Sequence, residues 1–366
     1  MRQLLKVAAL ATALTLVLSA CAGNAGPGQS SPAASEANPT KSGRPTSGPS
    51  DDASPSASES ASAKPSSTAE LASGLGLTGM LVYHSYSEYG AWDAELYGID
   101  LKTGRRAHLN AKWKTMISPI NAHFNADGTL MTFMGSAAGI DEYEWDVFVS
   151  RWTGSTWGEP VNLTGPNGKR DEDPKFSPTE DLITYKENGV LALIGADGEG
   201  QRLLTAGKGE SSMPYFTVDG KSLLFERGGN IWLHEISSGS ERTLWTRGLS
   251  HAYYPIGATS ERFLFTEVQS SAHDRTVWGY YDGRKPRPLF NGSNDCDNSD
   301  PYPYRDGSRF VFYVTGCAFI FKGGYNLAVL DQKTERAYDI DEINVDANSN
   351  VQELGPAWVP SVRLPK

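Results

Sequence analysis

Residues 213–244 read MPYFTVDGKSLLFERGGNIWLHEISSGSERTL. Pro214, Tyr215 and Phe216 lead to a turn at Asp219-Gly220, and Ser222, Leu223, Leu224 and Phe225 follow it. Gly228-Gly229 turns the chain into Asn230, Ile231, Trp232 and Leu233, and Ser238-Gly239 reverses it into Arg242, Thr243 and Leu244. Four short strands in succession, each bounded by turn residues, predict a four-stranded blade. Because the unit recurs about every 40 to 55 residues, the prediction extends to a β-propeller.

Working outward, Ala122, Pro174, Pro214, Pro255, Pro301 and Pro356 occupy equivalent positions at the start of each copy. A hairpin turn follows at Asp127-Gly128, Glu180-Asp181, Asp219-Gly220, Ser260-Glu261 and Asp306-Gly307. Asp-Gly suits a tight hairpin because Gly adopts positive φ without a steric cost. The second strands, among them Leu130-Met131-Thr132-Phe133 and Phe310-Val311-Phe312-Tyr313, are apolar on both faces in places, as expected of strands sandwiched between neighbouring blades. The fourth strands, such as Arg202-Leu203-Leu204-Thr205, are more polar and suit an outer, solvated edge.

The first copy lacks its opening strand. Met80-Leu81-Val82-Tyr83 matches a second strand, and the missing first strand reappears at 355–360 as GPAWVP. The expected fold is therefore all-β: a six-bladed β-propeller of four-stranded antiparallel blades, its ring closed by the C-terminal strand pairing into the N-terminal blade.

The pattern of Pro, aromatic, Ser or small residue and then Asp-Gly, seen at 173–178 and 301–307, resembles the WD40-like repeat of TolB-type β-propellers. The copy at 255–260 departs most, lacking the aromatic and the Asp-Gly. The matching residues are turn and packing residues, so the resemblance speaks for architecture more than for function.

The N-terminal end reads differently. Arg2 and Lys6 precede an apolar run over 7–18, too short to span a bilayer and matching an export signal, and the run ends in Leu18-Ser19-Ala20-Cys21. This resembles a bacterial lipobox, which implies a signal peptide over 1–20 and a lipoprotein membrane anchor (diacylglycerol, palmitate) on Cys21. Residues 22–70 hold no aromatic residue and are dominated by Ser, Ala, Pro and Gly, which cannot bury enough apolar surface to offset the entropy of ordering. The expected division is 1–20 signal peptide, 21–72 lipidated cysteine and tether, and 73–366 propeller.

A net charge of −10 without a basic cluster argues against a phosphate-binding surface, so no nucleic-acid partner is expected. After Cys21, two cysteines remain. Cys296 lies ten residues before the hairpin at Asp306 and Cys317 eleven after, so antiparallel pairing brings both to one end of the blade. In an exported protein a disulfide is expected, two buried thiols being the alternative.

Candidate ligand contacts fall on the face that gathers the loops entering each first strand and those joining strands two and three. The longer of these loops carry Tyr86, Trp92, Tyr143 and Trp145 beside acids, a combination suited to sugars or peptides. The more ordinary reading is that these rings pack the loops onto the blades. His123 and His251, at or near first strands, and Asp173 and Asp300, in the acidic runs at 171–173 and 295–300, complete the candidates. Hard oxygens in short loops suit calcium, but neither run has the spacing of a calcium loop; no cofactor is expected, with calcium the alternative. No serine-nucleophile or zinc motif is present.

The expected function is an extracytoplasmic, lipid-anchored binding or scaffold module for a protein, peptide or glycan of the cell envelope, acting by recognition without bond chemistry. The alternative is a metal-assisted, lyase-like carbohydrate-active enzyme at the channel mouth using His123, His251 and acids near Asp173 or Asp300.

Overall fold

The computed structural model describes residues 68–88, 90–140, 143–246, 251–268, 273–290, 296–316, 325–340 and 352–366. They form six four-stranded antiparallel sheets arranged as propeller blades, with one short helix. The innermost strands are Met116–Phe124, Asp171–Phe176, Ser212–Phe216, His251–Gly257 and Asn298–Pro303 in blades two to six, and Gln352–Val359 in blade one. This last strand pairs antiparallel with Met80–Tyr86, Val359 opposite Met80 and Gln352 opposite Tyr86. The ring is closed by the two ends of the propeller, as the sequence pattern predicts.

Second strands are buried on both faces: every residue of Phe310–Thr315 is inaccessible, and all of Met80–Tyr86 except its last residue. Their side chains form layers between adjacent blades. Leu81, Tyr83, Phe312, Val314, Leu327 and Val329 fill the seam between blades one and six; Val82, Leu96, Met131, Phe133 and Phe148 fill that between one and two. The seams bury the bulk of the apolar surface that stabilises the ring.

The first hairpins turn on the lower face. Gly128, Gly220 and Gly307 have φ of 71, 72 and 63°, and Asp127, Asp219 and Asp306 each accept the N–H two residues on, at 2.8, 3.1 and 2.9 Å. These are the two reasons for Asp-Gly in this place. In blade five the Thr259 hydroxyl does what Asp does elsewhere, accepting from Glu261 N–H at 3.1 Å, which explains why this divergent copy still turns.

The helix Thr68–Leu75 precedes blade one. Leu71 and Ala72 join the seam between blades one and six, so the packed region begins before residue 73. The signal for this was Leu71, the first large apolar residue after the polar segment. Thr78 N–H donates to Tyr304 Oη at 3.2 Å and Thr78 O accepts from Trp358 Nε1 at 2.8 Å, so the chain joins the propeller on the lower face. Cys21 and the stretches expected to form the signal peptide (1–20) and the tether lie outside the described residues.

Candidate functional site

Every innermost strand is irregular at the same place. Asn121, Asp173, Met213, Tyr254, Asp300 and Gly355 have φ of 58, 55, 52, 50, 45 and 60°, and the pairing register slips there in each blade. In five blades the next residue is proline, before which the chain is ordinarily extended. A left-handed residue bearing a β-carbon costs about 1–2 kcal/mol, least for Asn and Asp, so five of the six positions hold strain. Such bulges re-aim side chains, and here they turn one residue of each blade into the central channel.

The result is a cavity of about 50 Å³ to which all six blades contribute. Its upper ring is the six left-handed residues. Its lower ring, two residues on, includes His123, Lys175, Tyr215, Ile256 and Tyr302. Asp173, Lys175 and Asp300 are half-buried. Asp173 accepts from Asn121 Nδ2 at 3.0 Å, and Lys175 Nζ donates to Pro174 O at 3.3 Å. Burial pushes the Asp300 carboxyl up to about 7, the Asp274 and Asp173 carboxylates adding to it and the Gly355 N–H and Lys175 opposing. Burial likewise raises Asp173, against the pull of Lys175 and Lys186, and lowers Lys175, against Asp173 and Asp300.

His123 forms part of the floor. Its Nδ1 accepts from Phe176 N–H at 3.1 Å, which leaves the proton on Nε2 to bond Tyr215 Oη at 3.0 Å; Tyr215 Oη in turn donates to Tyr302 Oη at 3.5 Å. Burial, with Lys175 nearby, lowers His123 to about 3, so the ring is neutral and both nitrogens are engaged. His251 is exposed at the start of its strand, stacked on Tyr253 at 6.1 Å. The two histidines are not brought together in the cavity, and among the described residues no group of three metal-binding side chains gathers.

The acidic run at 171–173 disperses because successive residues of a strand point apart. Asp171 is fully buried between blades two and three, Glu172 pairs with Arg170 at 2.6 Å and Lys186 at 2.5 Å, and Asp173 enters the channel. In the second run, Asp297 accepts from Tyr325 Oη at 3.2 Å and faces His273 at 3.1 Å, while Asp300 enters the channel and Asp295 lies outside the described residues. Cys296 Sγ sits 3.9 Å from Thr315 Oγ1; Cys317 lies outside the described residues, and with it the expected pairing.

The predicted aromatics assemble on the upper rim over blades one and two. Trp92 packs on Trp145 at 4.3 Å and on Tyr143 at 5.2 Å, and Tyr86 stacks on His84 at 5.6 Å. Trp145 is buried and Trp92 half-buried, so both hold their loops down, whereas Tyr143 is 49% exposed. Met134 belongs to this cluster and its Sδ accepts Asp173 N–H at 3.3 Å, which joins the aromatic patch to the channel wall. Of the predicted candidates, His123, Asp173 and Asp300 meet in the channel, Tyr86, Trp92, Tyr143 and Trp145 meet beside it, and His251 stands apart. Asn121, Lys175, Met213, Tyr215, Tyr254 and Tyr302 went unread in the sequence, although each flanks an aligned proline or Ala122 at a fixed offset.

Neither a family model nor a characterised protein sequence matches the chain. Among solved structures the chain is similar to TolB from Acinetobacter baumannii, with a TM-score of 0.56 and 14% identity over 76% of this chain and 66% of that one, just under two thirds of its length. It is also similar to a putative TolB from Agrobacterium tumefaciens, with a TM-score of 0.52 and 16% identity over 71% and 88%. A chain of a nidogen/laminin complex gives a TM-score of 0.52 and 12% identity over 78% of this chain and all of that one. At such identities the likeness concerns the fold.

Proposed function

We propose that the protein is a recognition module of the cell envelope, held at the outer side of the cytoplasmic membrane by a lipid on Cys21, whose upper propeller face binds an envelope protein, peptide or glycan without bond chemistry. The observation that carries this reading is the hub cavity, charged and half-buried, whose wall residue Asp173 bonds Met134 of the aromatic rim cluster, beside which Tyr143 stands exposed. A preformed concave site with few polar groups and an aromatic border is the usual form of a binding site. Support also comes from the neighbours: one belongs to a protein complex, and two are TolB propellers. Among the described residues no helix is long and apolar enough to cross a membrane.

The test is capture of partners from envelope extract by the full chain, compared with Tyr143→Ala on the upper rim and Arg284→Ala on an exposed loop of the lower face. Loss of a saturable partner with Tyr143→Ala alone supports the reading. A partner that both variants retain, or none for the parent, rejects it.

A further inference from the structure

The channel differs from the rim in size, charge and donor content, and these three properties select a ligand. About 50 Å³ holds roughly four waters, which excludes a sugar ring or an aromatic side chain but admits a small charged head. Within it stand two carboxylates, Asp173 and Asp300, against one ammonium, Lys175; His123 is neutral. Lys175 Nζ already bonds Pro174 O. Among the described residues each carboxylate has room for more: a carboxylate accepts about four hydrogen bonds, Asp173 takes one from Asn121 Nδ2 and Asp300 one from Gly355 N–H.

The wall is poor in donors for an anion. Pro214, Pro255 and Pro356 line it and have no N–H, the Asn121 amide is committed to Asp173, and of the three lining tyrosines Tyr215 and Tyr302 bond within the floor. An anion entering here would find Lys175 as the one cationic side chain of the lining, already flanked by acids. A cation would find two acceptors short of partners in a site that water screens weakly.

We propose that the channel is a seat for a protonated primary amine, the amino terminus or a lysine side chain of a peptide partner, held between the Asp173 and Asp300 carboxylates. This rests on the recognition reading above and names the group by which the partner is recognised. Amine binding requires Asp300 to be ionised, so affinity rises with pH up to about 7 and then levels off. Asp173, Lys175, Asp274 and Tyr325 are the titratable groups that face Asp300.

The experiment is a ligand-observed NMR titration of the full chain with n-butylammonium, butyrate and 1-butanol across this pH range. Butylammonium is expected to bind saturably and more tightly than either isostere. Asp300→Asn should weaken it about 10- to 100-fold, the loss of one charge-assisted contact, and flatten the pH profile. Lys175→Met should tighten it by removing the internal competitor, a change of sign that misfolding does not produce; a thermal melt confirms that both variants fold. Butyrate binding as tightly as butylammonium, no saturable amine binding, or weaker binding in Lys175→Met each overturns the proposal. A partner captured through the rim without an amine response leaves recognition standing and removes the amine seat. An amine response without partner capture does the reverse.

Discussion

Replacing Trp358 by Ala tests the closure of the ring at its one seam between chain ends. Trp358 Nε1 donates to Thr78 O at 2.8 Å, and its ring meets Tyr304 edge-on at 4.8 Å between centroids. The hydrogen bond is worth about 1 kcal/mol net, the aromatic pair about 1 kcal/mol, and the half-buried remainder of the ring about 1–2 kcal/mol. The backbone cost of ordering the strand is unchanged by a point substitution, so these losses appear in full as about 3–4 kcal/mol. At roughly 2–4 °C per kcal/mol for a large domain, the calorimetric Tm should fall about 6–16 °C. Trp358→Phe, which keeps a ring against Tyr304, should lose only about a third of that. Trp232, half-buried with its Nε1 on Arg227 O at 3.2 Å and its ring over Phe225, carries a similar local loss but lies inside a blade whose strands are continuous in sequence. Trp358→Ala should therefore unfold faster in urea than Trp232→Ala. A Tm within about 2 °C of the parent, or unfolding no faster than Trp232→Ala, would refute the latch.

Asp146 is fully buried, and burial, with Glu144 and Asp171 adding, raises its carboxyl from 3.8 to about 7. A raised acid keeps its proton in the folded state, so stability declines as pH rises from about 4 to 7. Asp146→Asn, which still accepts from Asn162 Nδ2, should be more stable by a few kcal/mol at pH 8, the gain vanishing by pH 4; an urea midpoint independent of this substitution at pH 8 contradicts the assignment. A Cys296–Cys317 disulfide closes a loop of about 20 residues and stabilises by roughly 3 kcal/mol: peptide mapping without reductant should show the linked pair, reduction should lower Tm, and Cys296→Ser should abolish that sensitivity. Two titratable thiols in the unfolded, unreduced chain would remove the bond. Cys21→Ser should abolish incorporation of labelled palmitate and release the chain from membranes; a variant that stays membrane-bound counts against the anchor.

The fold was legible because its signals are local. Asp-Gly at 127–128, 219–220 and 306–307 sets each first hairpin through one side-chain acceptor and one positive φ, and apolar second strands such as Phe310–Thr315 can only be buried between blades. The closure was legible because blade one lacks a strand and the tail supplies it. The channel was less so. Asp173, Asp300 and His123 were picked out by residue type, but Lys175 was not, because periodicity in a strand gives the face and not the bulge that redirects it. Residues consecutive in an acidic run read as one cluster, whereas Asp171, Glu172 and Asp173 occupy a seam, an ion pair and the hub. The aromatics were found, but which of them packs and which stays exposed depends on loop contacts far apart in sequence, such as Trp92 on Trp145.

The strain at the hub follows from the closed ring and is maintained by it. A left-handed residue bearing a β-carbon persists only where its surroundings over-determine it, and here the determinant comes from the preceding blade. Asn121 N–H donates to His84 Nδ1 of blade one at 3.3 Å, Asp173 N–H to Met134 Sδ of blade two at 3.3 Å, Tyr254 N–H to Met213 Sδ of blade four at 3.4 Å, and Asp300 N–H to Thr266 Oγ1 of blade five at 3.2 Å. In these four cases one blade fixes the channel residue of the next, and His84, which fixes Asn121, stands on the strand that the C-terminal segment pairs with. Releasing that segment frees His84 and Gly355 together and so removes two sides of the channel at once. A ligand that fills the channel binds only the closed ring and must stabilise it by mass action, so occupancy of the hub and integrity of the latch are one equilibrium.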